Sequence, residues 1–174
     1  PEVCQTQGLS PGCDIPFRIK LAALTGVSQK ASSRRTPRSG VVGDAPPGKA
    51  GWRVALIGLR EEAKPEFLWL ANAAVATSGD LYQFLEVDGK RYSHIVDPRT
   101  GRALTEQRLV HVLAPDGITA DSLATAISVL GPGEGLRLVA GDKRLGARVA
   151  FRGALGQVQL AESPVFRTWP RAKK

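Results

Sequence analysis

The 174-residue sequence has no methionine, only two cysteines and two histidines, and 6% aromatic residues. Two cysteines with no histidine beside them exclude a four-ligand zinc site. Cys4 and Cys13 therefore either remain separate thiols or close a small disulfide loop, which needs an oxidising compartment. No apolar run approaches the roughly 20 residues that a membrane-spanning helix needs.

Glycine and proline are frequent, with nineteen and twelve residues, and this excludes a coiled coil or a helical bundle. Hydrophobic residues make up 43% and charged residues 23%, as in a globular chain with a core. The net charge is +8, and six basic residues lie between positions 15 and 43 without an acidic one. We expect residues 1–39 to form a basic arm and residues 40–174 a folded domain.

The basic arm, which contains Arg18 and Arg38, allows two interpretations. Its polar composition favours a solvated, flexible segment. A cluster of cations can also bind nucleic acid electrostatically, and the chain would then be a basic nucleic-acid-binding protein. Aromatic residues are not interleaved with the basic ones, so nothing firm indicates nucleic acid.

Short β-rich segments recur along residues 40–174 and predict strands. They are Trp52–Ile57, Phe67–Leu70, Leu81–Val87, Arg91–Val96, Leu109–Ala114, Arg148–Phe151 and Val158–Leu160. The Asp88-Gly89 pair predicts a tight hairpin, because both turn positions need a positive φ. His111, which is flanked by valines, is interpreted as a structural residue of its strand.

The periodicity changes over Asp121–Leu130, which predicts the main helix. Gly131-Pro132-Gly133 is expected to end this helix, and Leu136–Ala140 to form a short second one. The predicted apolar face consists of Leu123, Ala126, Ile127 and Leu130. The order of elements predicts an α+β fold, in which one or two helices pack on a mostly antiparallel sheet.

Asp121 and Thr125 lie one helical turn apart on the side opposite the apolar face. A carboxylate and a hydroxyl in this arrangement are two oxygen ligands of the kind that Mg²⁺ accepts. The alternative is structural: an Asp that stabilises the first turn of the helix and a Thr bonded to an earlier carbonyl.

Residues 43–49, GDAPPGK, match the spacing of a phosphate-binding loop. The next residue is Ala50, so the hydroxyl that would hold Mg²⁺ is missing. Pro46 and Pro47 have no N–H to offer a phosphate, and a predicted strand follows instead of a helix. We interpret the segment as a turn.

A second candidate site combines Ser78-Gly79-Asp80 with His94 and the turn Asp97–Gly101. The hairpin between them is expected to bring Ser78 and His94 towards the same end of the molecule. A small-residue loop, an imidazole and a Pro-Arg-Thr-Gly turn could together hold a phosphate-bearing ligand.

Two of these stretches resemble a known family. SGDLYQFLEVDGKRYSHIVDPRTGRAL and ITADSLATAISVLG are similar to the two C-terminal signatures of the ApbE family of FAD:protein FMN transferases. The resemblance implies an enzyme that binds FAD and Mg²⁺, transfers FMN to a Ser or Thr of an acceptor protein and releases AMP. Asp121 and Thr125 would be catalytic metal ligands, and Ser78, Gly79, His94, Ile95 and Asp97 would line the FAD site.

The N-terminal half of the family pattern is absent from this sequence. The resemblance therefore implies the C-terminal portion of a transferase, incomplete or inactive by itself. A non-catalytic flavin-binding or interaction module is the alternative. Family members are often periplasmic and membrane-anchored, but residues 1–13 lack the basic and apolar parts of a signal peptide.

Overall fold

The computed structural model describes residues 39–59, 66–81, 83–153 and 155–172. The predicted arm up to residue 38, with Cys4 and Cys13, lies outside the described residues. The strands are β1 Ser39–Val42, β2 Trp52–Leu56, β3 Glu66–Leu70, β4 Ala73–Gly79, β5 Phe84–Val87, β6 Lys90–Ser93, β7 Val96–Asp97, β8 Arg102–Ala103, β9 Arg108–Ala114, β10 Gly146–Arg152 and β11 Val158–Glu162. The helices are α1 Gly117–Arg137 and α2 Pro164–Thr168.

Five strands form one antiparallel sheet in the order β1-β4-β9-β10-β11. The central strand β9 pairs with β4 on one side and with β10 on the other. In the described part of the chain, β2 with β3, β5 with β6, and β7 with β8 form separate two-stranded sheets. The predicted α+β fold, mostly antiparallel with one or two helices, is confirmed.

Strand β9 is buried on both faces, since its side chains alternate between two cores. Val110 and Val112 face α1, together with Ala74 and Ala76 of β4. On the opposite face, Leu113 packs with β2, β3 and α2. The short apolar run of β9 reflects this double burial.

His111 is a structural residue of β9, as predicted. Its Nε2–H donates to the carbonyl of Ile57, and its Nδ1 accepts from the hydroxyl of Thr77, both at 2.9 Å. The side chain is 1% exposed. Burial lowers the pKa of this imidazole from 6.5 to about 4, because the charged form loses its hydration.

Helix α1 begins at Gly117, four residues before its predicted start. Asp116 is the N-cap, and its carboxylate accepts from both the backbone N–H and the hydroxyl of Thr119 at 2.8 Å. Gly131 interrupts the helix as predicted, with φ 80° and ψ 179°. The second helical piece then runs to Arg137, so the expected position of the second helix, Leu136–Ala140, was wrong.

The apolar face of α1 differs in part from the prediction. Its most buried residues in the first piece are Ala120, Ala124, Ile127 and Ser128, whereas Leu123, Ala126 and Leu130 are only partly buried. Small side chains lie at the centre because α1 packs closely on the alanines of β4. The larger leucines lie at the edges of the contact, where Leu123 packs against the core.

The predicted hairpin is present but shorter. Asp88 and Gly89 have φ of 52° and 70°, which confirms the tight turn. The segment GDAPPGK forms a turn, as interpreted, and the N–H of Lys49 donates to the carbonyl of Pro46 at 3.0 Å. Within the described residues, no helix is long and apolar enough to cross a bilayer.

Candidate functional site

Asp121 and Thr125 are exposed on α1, one turn apart, as predicted. The structural alternative for them is wrong. Asp116 caps the helix and no acidic residue lies in its first turn. It is Ser128, not Thr125, whose hydroxyl donates to an earlier carbonyl, that of Ala124 at 2.9 Å. In the described part of the chain, neither the Asp121 nor the Thr125 side chain has a hydrogen bond or an ion pair.

Ser78 and Gly79 are the last residues of β4. Because side chains alternate along a strand and Ala74 and Ala76 face α1, Ser78 faces the α1 side of the sheet. Gly79 lies against β9 so closely that a Cβ would be 2.6 Å from the carbonyl oxygen of Arg108. The end of β4 is therefore held against the start of β9.

His94 follows β6 and is exposed. Its backbone N–H and its ring Nδ1 both contact the carbonyl oxygen of Gln83, at 3.3 and 3.0 Å. A carbonyl oxygen only accepts, so Nδ1 carries the proton. In the neutral imidazole, Nε2 then holds the lone pair.

The turn after His94 is built around Asp97. Its Oδ1 accepts from the backbone N–H and Nε of Arg99 at 2.9 and 3.0 Å, and its Oδ2 accepts from Nη2 at 2.9 Å. These bonds lower the pKa of Asp97. The pKa of Arg99 is raised, chiefly by its hydrogen bonds to Asp97.

Ile95 is 7% exposed. Its N–H donates to the hydroxyl of Ser93 at 3.1 Å, and its carbonyl accepts from the N–H of Leu104 at 2.9 Å. These bonds fix the backbone on either side of His94. The five predicted FAD-site residues thus lie at the end of β4 and along the chain from His94 to Asp97.

A cavity of about 250 Å³ connects the Asp97 turn to α1. Its walls include Asp97, Thr100 and Arg102 from the turn, Arg108 from β9 and Val129 from the helix. Val129 lies one turn after Thr125, so the cavity opens beside the face of α1 that carries Asp121 and Thr125.

Arg108 connects the sheet, the helix and this cavity, and sequence reasoning did not select it. Its Nη1 donates to the carbonyls of Ser128 and Val129 at 2.8 and 3.4 Å, at the end of the first helical piece. Its Nη2 pairs with Glu106. A cation there is stabilised by the negative end of the helix dipole. The sequence signal that could have identified Arg108 is its position directly before the predicted apolar strand Leu109–Ala114.

A sequence model of the ApbE family matches residues 39–149. The chain belongs to the ApbE family. The FAD:protein FMN transferase of Klebsiella pneumoniae is 35% identical over 121 residues, which cover 68% of this chain and 34% of that protein. The one from Vibrio cholerae is 40% identical over 88 residues, covering 49% of this chain and 26% of that protein.

Solved structures of the ApbE family share the fold. The apo crystal structure of the Pseudomonas stutzeri flavinyl transferase ApbE has a TM-score of 0.59 at 32% identity, and the match covers 76% of this chain and 41% of that chain. The flavin transferase ApbE of Vibrio cholerae has a TM-score of 0.61 at 29% identity, covering 72% and 40%. The chain thus spans about a quarter to a third of the length of these curated relatives and about two fifths of the solved ones.

Every residue proposed from the sequence as a ligand contact lies in one of the two stretches that resemble the ApbE signatures. The oxygen pair of α1 fits Mg²⁺ by its chemistry, because both donors are hard oxygens that no other described side chain or backbone group engages. Among the described residues, no three His, Cys, Asp or Glu side chains cluster as a metal site. An ion held by this pair would take its other ligands from water or from a bound phosphate.

Proposed function

We propose that this chain forms the C-terminal part of an FAD:protein FMN transferase site, which moves FMN from FAD to a Ser or Thr of an acceptor protein. The observation that carries this proposal is the pair Asp121 and Thr125. Both are exposed on α1, and neither side chain has a hydrogen-bond or ion-pair partner among the described residues. The names of the similar proteins supply the substrate, FAD, and the group transferred.

Asp121 and Thr125 would hold Mg²⁺ on the cavity side of α1. The ion would supply positive charge to the diphosphate of FAD, where negative charge develops as AMP leaves. Ser78 and the backbone of Gly79 would border the same ligand from the end of β4. The Asp97 turn, closed by Arg99, would form the other wall.

His94 would accept the proton in this reaction. The acceptor hydroxyl oxygen bonds to the phosphorus of the FMN half, and the bond from that phosphorus to the bridging oxygen breaks. AMP leaves with the bridging oxygen, and the hydroxyl proton moves to Nε2 of His94. The bond from Nδ1 to Gln83 suits this role, because it leaves Nε2 unprotonated in the neutral ring.

The direct test incubates the chain with FAD, MgCl₂ and a Ser/Thr peptide and measures AMP and peptide-bound flavin. We expect Asp121→Asn to lower AMP release at least about tenfold, since even outer-shell changes at metal sites have effects of that size. Asp142→Asn is the control, because Asp142 pairs with Arg144 at 2.8 Å. Equal rates in the wild type and Asp121→Asn would refute the metal role.

Binding of Mn²⁺, followed by paramagnetic relaxation, tests the ligand pair without catalysis. Loss of Mn²⁺ binding in Asp121→Asn but not in Asp142→Asn supports the site. Flavin binding without AMP release would instead favour the non-catalytic module. Export and membrane anchoring, implied by the family, remain predictions, as does nucleic-acid binding by residues 1–39.

A further inference from the structure

The side chain of Arg91, on β6, contacts both ends of the segment 80–84. Its Nε donates to Oδ2 of Asp80 at 3.0 Å, and its Nη2 donates to the backbone carbonyl of the same residue. Its guanidinium also lies over the ring of Phe84, with Cζ 3.4 Å from the ring centroid. A single side chain therefore joins the residue after β4 to the first residue of β5.

The carboxylate of Asp80 depends on this contact. Asp80 is 2% exposed, and its Oδ1 has no hydrogen-bond partner among the described residues. Arg91 is the cation that pairs with it, and the Arg91 side chain is itself 24% exposed. Without that cation the buried carboxylate would lose its compensating charge, which is strongly destabilising.

Gln83, the residue before Phe84, contacts His94 through its backbone carbonyl. The carbonyl of Gln83 accepts from both the backbone N–H and Nδ1 of His94. Those two bonds set the direction of the imidazole and its tautomer. Gln83 directly precedes Phe84, whose ring the Arg91 guanidinium covers, and Asp80 in turn holds that guanidinium.

We propose that Arg91 and Asp80 are positioning residues that keep neutral His94 in its Nδ1–H tautomer, with Nε2 free for the hydroxyl proton. The catalytic consequence rests on the proposed function. The tautomer itself does not, because it follows from contacts within the chain. Neither residue touches a ligand; both act through the Gln83 carbonyl.

The chain contains two histidines, and the structure places them in opposite tautomers. His94 is protonated on Nδ1, whereas His111 donates from Nε2 to the carbonyl of Ile57. Long-range ¹H–¹⁵N correlation spectra of the ¹⁵N-labelled chain near pH 8 distinguish the two forms directly. We expect one imidazole of each kind in the wild type, and His111 serves as an internal measure of folding.

Arg91→Met removes the donors and keeps the length of the side chain. We expect His94 to lose Nδ1–H as its main form and to adopt the Nε2–H form that unrestrained imidazoles favour, while His111 is unchanged. Arg53→Met is the matched control, since Arg53 also lies over an aromatic ring, that of Phe67 at 3.8 Å. Neither imidazole should change in that variant.

Arg91→Lys decides the question if Arg91→Met also disturbs His111. A lysine keeps the charge but cannot reach the carboxylate and the carbonyl with a planar fork. We expect the Nδ1–H fraction of His94 to fall at least twofold with His111 intact. An unchanged His94 in a folded Arg91 variant would overturn the inference.

The two proposals fail separately. The spectra need no flavin, metal or acceptor, so a tautomer shift in a chain that releases no AMP would overturn the transferase and leave the positioning role. In an active chain, Arg91→Met should lower kcat more than it changes KM, because His94 acts on the proton and not on substrate binding. Full kcat with a shifted tautomer would overturn the catalytic part of the inference.

Discussion

Acidification is expected to destabilise this fold through His111. The pKa of this buried imidazole is about 4, against 6.5 for an ordinary histidine. Below pH 6.5 the unfolded chain binds a proton that the folded chain does not bind until about pH 4. The contribution of His111 is therefore complete above pH 6.5 and is lost as the pH falls to 4. A difference of about 2.5 pKa units corresponds to about 3 kcal/mol of unfolding free energy at pH 4.

Urea unfolding followed by tryptophan fluorescence at several pH values between 4 and 7.5 measures this loss. His111→Gln removes the titrating group, so its unfolding free energy should change with pH by about 3 kcal/mol less than that of the wild type. The pKa of Asp142 is also lowered, to about 2, and this group cancels in the comparison; the pKa of Glu66 is lowered mainly by Arg148 and to a small extent by His111, so it cancels except for that small part. Parallel curves for the wild type and His111→Gln would refute the reasoning.

Two further predictions concern backbone positions. Gly79→Ala should destabilise the chain by about 1–3 kcal/mol, because the added Cβ would lie 2.6 Å from the Arg108 carbonyl oxygen. Gly133→Ala is the control and should not destabilise it, because a Cβ there meets nothing within 4 Å. Urea unfolding of both variants gives the comparison. Asp116→Ala should lower the melting temperature by a few degrees through loss of the α1 cap, and the exposed Asp121→Ala should not; equal melting temperatures would contradict the assigned cap.

Local sequence signals predicted most of the scaffold correctly. Asp88-Gly89 marks its turn because few residue pairs tolerate positive φ at both positions. The apolar run of β9 needs no partner to be recognised, since it is buried on both faces. Gly131 interrupts α1 as its sequence indicates. Each of these features depends on a few neighbouring residues, and for that reason each could be predicted from the sequence.

The candidate site could be predicted only in part, because its geometry depends on contacts between residues that are far apart in the sequence. Helical spacing singled out Asp121 and Thr125 but left a structural role open, and only the three-dimensional structure shows that their side chains have no partner among the described residues. Arg91 and Asp80 are eleven residues apart, and nothing local indicates that they pair. The centre of the α1 face was misplaced because its packing is decided by the alanines of β4, far away in sequence.

Strands β4 and β9 pair directly, so residues 80–107, which connect them, form one insertion outside the five-stranded sheet, called the excursion below. Gly79 lies opposite Leu109 at its base, so the chain leaves and re-enters the scaffold at neighbouring points. All the hairpin and turn residues discussed for the flavin lie in this excursion, while the oxygen pair lies on α1 outside it. Replacing residues 80–107 with a short turn from β4 to β9 would thus remove the hairpin and turn part of the candidate site and keep Asp121 and Thr125 on α1. The five-stranded sheet and its core would then have to fold without residues 80–107.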